Sequence, residues 1–261
     1  VAAYANRRLV IVWIPDPHCQ SPYDQLFAVD PNEVISVDEN IISPTNCLHY
    51  DYMDPAQKYK LLDTSLQQNL CVTSAYHVFS KEVNAYGEQA ADFRSRMRNM
   101  AFSPQVQAII DQHYVPAESI GLHIRSLSMQ GDVPGIEKIK DKRMDFAAMS
   151  PDTVNEVRAS CVWYSFLPSI RKYASDLEDP VIIVGSDTGE TPIGGQIPYE
   201  VQHIMPPEKC YKGEGRSIDC QQYALATVKI LSKAKVFIGS QWSSYTEISH
   251  AMSLQQEQLF G

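Results

Sequence analysis

The feature that most constrains the fold is an alternation of short apolar runs and longer helical patterns after about residue 115. Three runs have the near-continuous apolar character of buried strands, and they lie within ESIGLHIRSLS, PVIIVGSDTGE and KVFIGS. Two segments with helical spacing separate them, beginning at Val154 and Ile218. Strands that alternate with helices form parallel sheets covered on both faces, so this half predicts a doubly wound α/β domain.

The first half of the chain is less regular. RLVIVWI, at 8–14, predicts a parallel strand, and EVISVD, at 33–38, predicts a second. QKYKLLDTSLQQNL, at 57–70, has helical spacing, and the CVTSAYHVF that follows indicates a weak strand. We therefore expect two α/β domains, one over 1–105 and one over 106–261, and because the chain opens without Met we expect the first to be truncated at its start.

Composition disfavours several classes of function. Hydrophobic residues make up 44% of the 261 residues, enough for a sizeable core, and the net charge of -9 argues against binding to nucleic acid. No apolar run approaches the roughly 18 residues of a membrane-spanning helix. No GxGxxG motif follows a predicted strand, which disfavours a Rossmann dehydrogenase. The six cysteines lack zinc spacing and are expected to be idle thiols, although a disulfide between Cys210 and Cys220 stays open.

Polar residues follow the three predicted strands of the second half at their carboxyl ends. Arg125 follows the first strand, Asp187 follows the second, and Ser240 begins a hydroxyl-rich stretch that continues to Thr246. In doubly wound sheets, ligands bind outside these strand ends. A guanidinium can clamp a diphosphate, and the N–H groups of a helix start can hold the same anion. The sequence therefore predicts a pocket for a nucleotide diphosphate.

Each of these residues, taken alone, also has a purely structural explanation. Arg125 could form an ordinary salt bridge, and His123 could be a buried strand histidine with its hydrogen bonds satisfied. Asp187, Ser243 and Ser244 could do no more than cap a turn or a helix. The occurrence of these residue types at three successive strand ends is what favours a binding site.

Four segments resemble motifs of a known enzyme family. GLHIRS is similar to the His-x-Arg-Arg strand of the fucosyltransferase superfamily of GT-B glycosyltransferases, which includes nodulation α-1,6-fucosyltransferases and protein O-fucosyltransferases. VIIVGSDTGE resembles the second family motif, LSKAKVFIGSQWSSYTE the third, and YANRRLVIVWIPDPHCQSPYDQLF the segment after the first glycine-rich loop. The resemblance implies a GT-B fold, in which two Rossmann-like halves face a cleft, with the acceptor side at 1–105 and the nucleotide-sugar side at 106–261.

The resemblance also implies which residues bind the donor. Arg125 would bind the donor diphosphate and stabilise the leaving group, and His123 would support the nucleotide side of the same pocket. Asp187 would lie near the nucleoside, and the helix start would close over the phosphates. The implied donor-binding residues are His123, Arg125, Asp187, Arg216, Ser240, Ser243, Ser244 and Tyr245.

An inverting transfer needs a base beside the acceptor hydroxyl. PDPHC, after the first strand, offers Asp16 and His18, and the imidazole has the more suitable pKa. His49 and Asp51 are further candidates, and all four residues also fit ordinary structured loops. DYMD, at 51–54, is more typical of a solvated turn than of a metal motif. The resemblance implies an inverting, metal-independent hexosyl- or pentosyltransferase with no cofactor other than its GDP- or UDP-linked co-substrate.

One position departs from the family pattern, because Ser126 stands where the family has a second arginine. GDP-fucose is the first donor to expect, a UDP sugar such as UDP-xylose is the alternative that the lost charge favours, and a sugar- or nucleotide-binding relative without turnover is a further one. The expected partners are the nucleotide sugar and an oligosaccharide or glycoprotein acceptor. The sequence gives no oligomeric state. It favours the cytoplasm, or the Golgi lumen if an N-terminal anchor has been removed.

Overall fold

The computed structural model describes most of the second half of the chain and shorter parts of the first half. Residues 16–28 group with the second half, whereas the division predicted at residue 105 places them in the first domain. The two compact units are 1–15 with 29–96, and 16–28 with 97–261. The described residues are 10–15, 19–29, 34–36, 47–51, 54, 56–57, 60–63, 65, 69–73, 94–125, 151–187, 189–212, 215–241, 243–255 and 259–260.

The described part of the first unit contains two pairs of parallel strands. β1 (Val10–Val12) pairs with β2 (Val34–Ser36), and β3 (Cys47–Asp51) pairs with β4 (Asn69–Thr73). Three of these strands, β1, β2 and β4, overlap predicted strands. The fourth, β3, was not predicted. A small apolar cluster supports the second pair; its members are Leu48, Tyr50, Leu62 and Leu70.

Two disulfides join neighbouring elements. Cys47 in β3 is bonded to Cys71 in β4, and Cys210 is bonded to Cys220, with S–S distances of 2.02 and 2.03 Å. The prediction of idle thiols is therefore wrong for these four residues, because each lies within bonding distance of its partner. The possible bond between Cys210 and Cys220 is confirmed.

The second unit is built on a five-stranded sheet in which every neighbouring pair is parallel. This confirms the parallel α/β architecture predicted for the second half. The central strand is β5 (Ser119–Ile124), with β6 (Val181–Ser186) on one side and β8 (Val236–Gly239) on the other. The chain therefore reverses its direction of winding between β5 and β8. Crevices at such switch points are where doubly wound sheets bind ligands. In the order β7–β6–β5–β8–β9, the strands are Glu200–Ile204, Val181–Ser186, Ser119–Ile124, Val236–Gly239 and Leu259–Phe260.

Apolar cores lie on both faces of this sheet. One contains Phe237 and side chains from three helices, α1 (Pro104–Asp111), α4 (Ile218–Ser232) and α5 (Ser244–Met252). The other contains Phe166 and side chains from α3 (Leu167–Ala174). Burying each large apolar side chain contributes about 1.5–3 kcal/mol. No helix in the described part of the chain is long and apolar enough to span a membrane. The helices of this unit are α1 (Pro104–Asp111), α2 (Pro151–Ser160), α3 (Leu167–Ala174), α4 (Ile218–Ser232) and α5 (Ser244–Met252).

The central strand β5 presents different residue types to the two cores. Ile120, Leu122 and Ile124 belong to the core on the α3 side. Because successive side chains of a strand point to opposite faces, His123 and Arg125 face α4 and α5. The sequence pattern of β5 therefore brings its two chemically active residues to the side where the helices begin.

Candidate functional site

A cavity of about 170 Å³ opens where β5, β6 and β7 end in the second unit. Its walls also include the loop before α4 and the first turns of α4 and α5. The structure thus brings together residues that the sequence separates by more than 100 positions. The predicted donor-binding residues that line the cavity are His123, Arg125, Asp187, Arg216 and Tyr245.

His123 lies between two glycines of the neighbouring strands, Gly185 in β6 and Gly239 in β8. A Cβ atom added at Gly239 would lie 2.3 Å from Cγ2 of Thr246 in α5, and one at Gly185 would lie 2.5 Å from Cγ2 of Thr227 in α4. Both distances are shorter than real contacts allow. The two glycines therefore let α4 and α5 approach the sheet on either side of the imidazole.

The imidazole of His123 is buried and held on two sides. Its Nδ1 lies 3.0 Å from Oγ1 of Thr246, and its ring stacks on the ring of Tyr245 with centroids 5.7 Å apart and planes 9° from parallel. Burial lowers the pKa of His123 to about 3, and the nearby charge of Arg125 adds to this effect. His123 is thus neutral at physiological pH, where it is a packing and hydrogen-bonding group rather than a proton acceptor.

This burial predicts a specific pH dependence of stability. The folded-state pKa of His123 lies below its ordinary value of 6.5. Unfolding therefore takes up a proton in acid, and the stability present above the ordinary value is lost as the pH falls towards the folded-state value. Between about pH 7 and about pH 5, we expect the free energy of unfolding of the wild type to fall by about 2 kcal/mol more than that of His123→Gln. Urea unfolding measures this; equal losses in both proteins would contradict a buried neutral imidazole.

The end of β5 is fastened to the ends of its neighbours by backbone atoms. The Arg125 N–H donates to Oγ of Ser240 at 2.8 Å, and the Ser240 N–H donates to the carbonyl of His123 at 3.0 Å. On the other side, the Asp187 N–H donates to the carbonyl of Ile124 at 3.3 Å. Ser240 is fully buried and does not line the cavity, so its hydroxyl positions Arg125 by holding the backbone of β5.

The guanidinium of Arg125 is oriented by this backbone and leads into the cavity. Its Cζ lies 6.0 Å from the centre of the Tyr245 ring. Its Nε is buried and has no hydrogen-bond acceptor among the described residues. A buried donor without an acceptor costs about 1–3 kcal/mol, and an anionic ligand in the cavity would supply the acceptor.

The start of α5 carries hydroxyl and N–H groups next to Tyr245, which lines the cavity, whereas Ser243 and Ser244 do not line it. Ser243 is the N-cap residue, yet its side chain makes no capping hydrogen bond, and its buried Oγ has no partner among the described residues. The cap-only explanation of Ser243 is therefore wrong for its side chain. Ser244 is exposed in the first turn. Burial raises the pKa of Tyr245 despite the opposing charges of Arg125 and Arg216, so its phenol stays protonated and can donate a hydrogen bond.

The first turns of α4 contribute cavity residues that sequence reasoning missed. Cys220, Tyr223 and Thr227 line the cavity and recur at the three- and four-residue spacing of one helical face. That spacing was visible in the predicted helix. What it did not reveal was which face of α4 turns to the cavity, because this depends on the close approach at Gly185.

Two of the four candidates for the catalytic base, Asp16 and His18, lie outside the described residues, and the other two, His49 and Asp51, lie in β3. The chain resumes at Cys19, and the side-chain oxygen of Gln221 in α4 accepts from the Cys19 thiol at 3.6 Å and from the Ser21 N–H at 3.0 Å. Within the described segments, no cluster of three or more His, Cys, Asp or Glu side chains is placed to hold a metal ion. The base and the metal requirement both stay predictions.

Comparison with known proteins supports the fold. No family model and no curated protein sequence matches the chain. Two crystal structures of NodZ α-1,6-fucosyltransferase, one co-crystallised with GDP and one soaked with GDP-fucose, are similar to it. Their TM-scores are 0.52 and 0.53 at 15% identity, over 97% of this chain and 84% of theirs. The chain has a fucosyltransferase-like fold.

A fucosyltransferase-like fold confirms the predicted resemblance at the level of architecture and does not assign the chain to one family. POFUT1 in complex with GDP-fucose is similar over 99% of this chain and 91% of its own, with 11% identity and a TM-score of 0.47. Support for the residue roles that the resemblance implies comes from the geometry of the cavity.

Proposed function

We propose that the chain is a glycosyltransferase that binds the diphosphate of a nucleotide sugar in the cavity at the ends of β5 and β6. The observation that carries this proposal is the guanidinium of Arg125, which leads into the cavity with a buried Nε that has no acceptor among the described residues. A diphosphate supplies acceptors of matching geometry and charge. The fucosyltransferase-like fold supports the same class of ligand.

Residues of the cavity and of the helix start beside it have distinct roles in the proposed reaction. Arg125 offsets the charge that develops on the departing nucleoside diphosphate. The first N–H groups of α5 and the hydroxyl of Ser243 hold the same anion, and Tyr245 donates from its protonated phenol. Asp187 accepts from the nucleoside. Because arginine and helix N–H groups offset the phosphate charge, the proposed transfer needs no metal; it inverts the sugar through a base that Asp16 or His18 supplies.

GDP-fucose is the first donor we propose, since the NodZ structures similar to this chain were obtained with GDP and GDP-fucose. A UDP sugar such as UDP-xylose is the second candidate, because Ser126 leaves one arginine fewer after β5. The acceptor is an oligosaccharide or a glycoprotein. The two disulfides favour an oxidising compartment such as the Golgi lumen over the cytoplasm.

A thermal-shift panel tests the proposed ligand class. The panel contains GDP, UDP, GDP-fucose, UDP-xylose and NAD, each with and without EDTA. A ligand at about 100 times its dissociation constant adds about 2.7 kcal/mol of stability. We expect stabilisation by the nucleotides of one base, unchanged by EDTA, and none by NAD. If no nucleoside diphosphate or nucleotide sugar stabilises the protein, the proposed function is wrong; binding without turnover would favour a non-catalytic relative.

Ser243→Ala separates a ligand-binding hydroxyl from a helix cap. We expect the variant to bind the nucleotide about fivefold more weakly with its unfolding free energy unchanged within about 0.5 kcal/mol, because no capping bond is lost. Ser103→Ala is the matched control. Oγ of Ser103 accepts from the Val106 N–H at 3.2 Å and caps α1, so this variant should lose about 1 kcal/mol or more of stability without losing affinity. If Ser243→Ala lost stability and kept its nucleotide affinity, the role of Ser243 would be structural.

A further inference from the structure

A second guanidinium reaches the cavity from a different part of the chain. Arg216 lines the cavity together with Arg125, but it belongs to the loop directly before α4 rather than to the end of β5. In the sequence, Ser126 follows Arg125, so β5 itself delivers a single cation. A diphosphate carries more than one negative charge, which a single arginine and the partial charge of one helix start do not balance.

The charges around Arg216 leave its side chain uncommitted. Asp219 is ion-paired with Lys209 at 2.5 Å and accepts from Oγ of Ser217 at 2.8 Å. Glu208 is ion-paired with Lys212. In the described part of the chain, the guanidinium of Arg216 makes no ion pair and no hydrogen bond. The carboxylates of Glu208 and Asp219, which precede and follow Arg216 in the sequence, are thus engaged by the two lysines, and Arg216 lines the cavity.

Arg125 and Arg216 share a neighbour, the phenol of Tyr245. The charge of each guanidinium opposes the rise in the pKa of Tyr245 that burial causes. Both cations therefore act on the same part of the cavity. An anion beside this phenol would lie within the field of both.

The position of Arg216 is set by a covalent ring. Cys210 and Cys220 are bonded to each other, and both line the cavity on either side of Arg216 in sequence. Gly215 lets the loop pass close to the backbone of Cys210, because a Cβ added at Gly215 would lie 2.9 Å from the carbonyl oxygen of Cys210. Cys220 lies in the first turn of α4, so the bond anchors this loop to a rigid element.

We propose that Arg216 is the second cation of the diphosphate site and that the Cys210–Cys220 disulfide holds it there. This inference rests on the proposed function and adds to it a redox-dependent element of binding. Opening the disulfide would free the loop and withdraw one of the two charges. Donor affinity would then be high when the bond is intact and lower when it is reduced.

Isothermal titration calorimetry with GDP, UDP and inorganic pyrophosphate tests the role of Arg216. Pyrophosphate has no nucleobase, so its affinity reports the contribution of the cations to phosphate binding. We expect Arg216→Gln to weaken each ligand that the wild type binds by about tenfold, as for the loss of one charge-assisted contact. Arg171→Gln is the matched control, since it removes an exposed arginine of α3 that does not line the cavity, and its affinities should equal those of the wild type.

A second pair of variants tests the role of the disulfide. Replacing both Cys210 and Cys220 by Ala should weaken binding by a similar factor, whereas replacing both Cys47 and Cys71 should leave it unchanged. Adding Arg216→Gln to the Cys210 and Cys220 replacements should cause no further loss, because both changes remove the same contact. If the cysteine variant fails to fold, the comparison of Arg216→Gln with Arg171→Gln still decides the role of the arginine.

The outcomes separate this inference from the proposed function. Wild-type affinity in Arg216→Gln, with weakened binding in Arg125→Gln, would overturn the role of Arg216 and leave the proposed function in place. Fully additive losses would overturn the role of the disulfide. No binding of GDP, UDP or pyrophosphate to the wild type would overturn the proposed function and this inference with it.

Discussion

Arg125→Ala should lower the rate at which nucleoside diphosphate is released from the nucleotide sugar by about 10²–10³-fold. The reason is that the guanidinium is the cationic group that β5 directs into the cavity, where charge develops on the leaving group. The fold should survive, because β5 is fastened to Ser240 through the backbone N–H of Arg125, which the substitution keeps. Chromatographic detection of the released nucleotide measures the rate, and thermal unfolding checks the fold.

Arg171→Ala is the control for this variant. Arg171 is an exposed arginine in the last turn of α3 and does not line the cavity. The substitution removes the same charge from the protein and should leave the rate unchanged. If Arg125→Ala released the nucleotide at the wild-type rate, Arg125 would have no role in the reaction.

Gly239→Ala should have the largest effect on the structure of the site. The added Cβ would lie 2.3 Å from Cγ2 and 2.5 Å from Oγ1 of Thr246, so the first turn of α5 must move away from β8. Overpacking of this kind costs about 1–3 kcal/mol. Thr246 also contacts His123, and Tyr245 precedes it, so the shift should weaken nucleotide binding at least about tenfold in addition to lowering stability.

Gly195→Ala provides the comparison, since a Cβ added there meets no atom within 4 Å. This variant should keep its unfolding free energy within about 0.5 kcal/mol and its affinity unchanged. Urea unfolding and calorimetric titration of both variants measure the two effects. A Gly239→Ala protein as stable as Gly195→Ala, with unchanged affinity, would show that the close approach of α5 to β8 is not needed.

The second half of the chain was predictable because local pattern and global fold agree there. Ile120, Leu122 and Ile124 alternate with Gly121 and His123, and the structure places the two sets on opposite faces of β5. The rule that ligands bind at the carboxyl ends of parallel strands then located the cavity. The contribution of α4 was not predictable, since the face that it turns to the cavity depends on the close approach of Thr227 to Gly185.

Elsewhere, contacts between distant residues override the local pattern. The helix predicted over 57–70 is wrong for every described residue of that range, and at its end Asn69 and Leu70 pair with β3 while a disulfide holds the next residue, Cys71, to Cys47. The helical spacing that begins at Val154 predicted one helix. Instead, α2 ends at Ser160, and Pro168 lies in the first turn of a new helix, α3, where a missing N–H costs nothing.

The most direct test of the account is a crystal structure of the protein with GDP or UDP, whichever stabilises it in the thermal-shift panel. The account predicts that the diphosphate oxygens lie within hydrogen-bond distance, about 2.7–3.2 Å, of the Arg125 guanidinium and of the first N–H groups of α5. Clear density for the nucleotide with its phosphates away from Arg125 would contradict the account, because the cavity at the end of β5 would then not be the donor site.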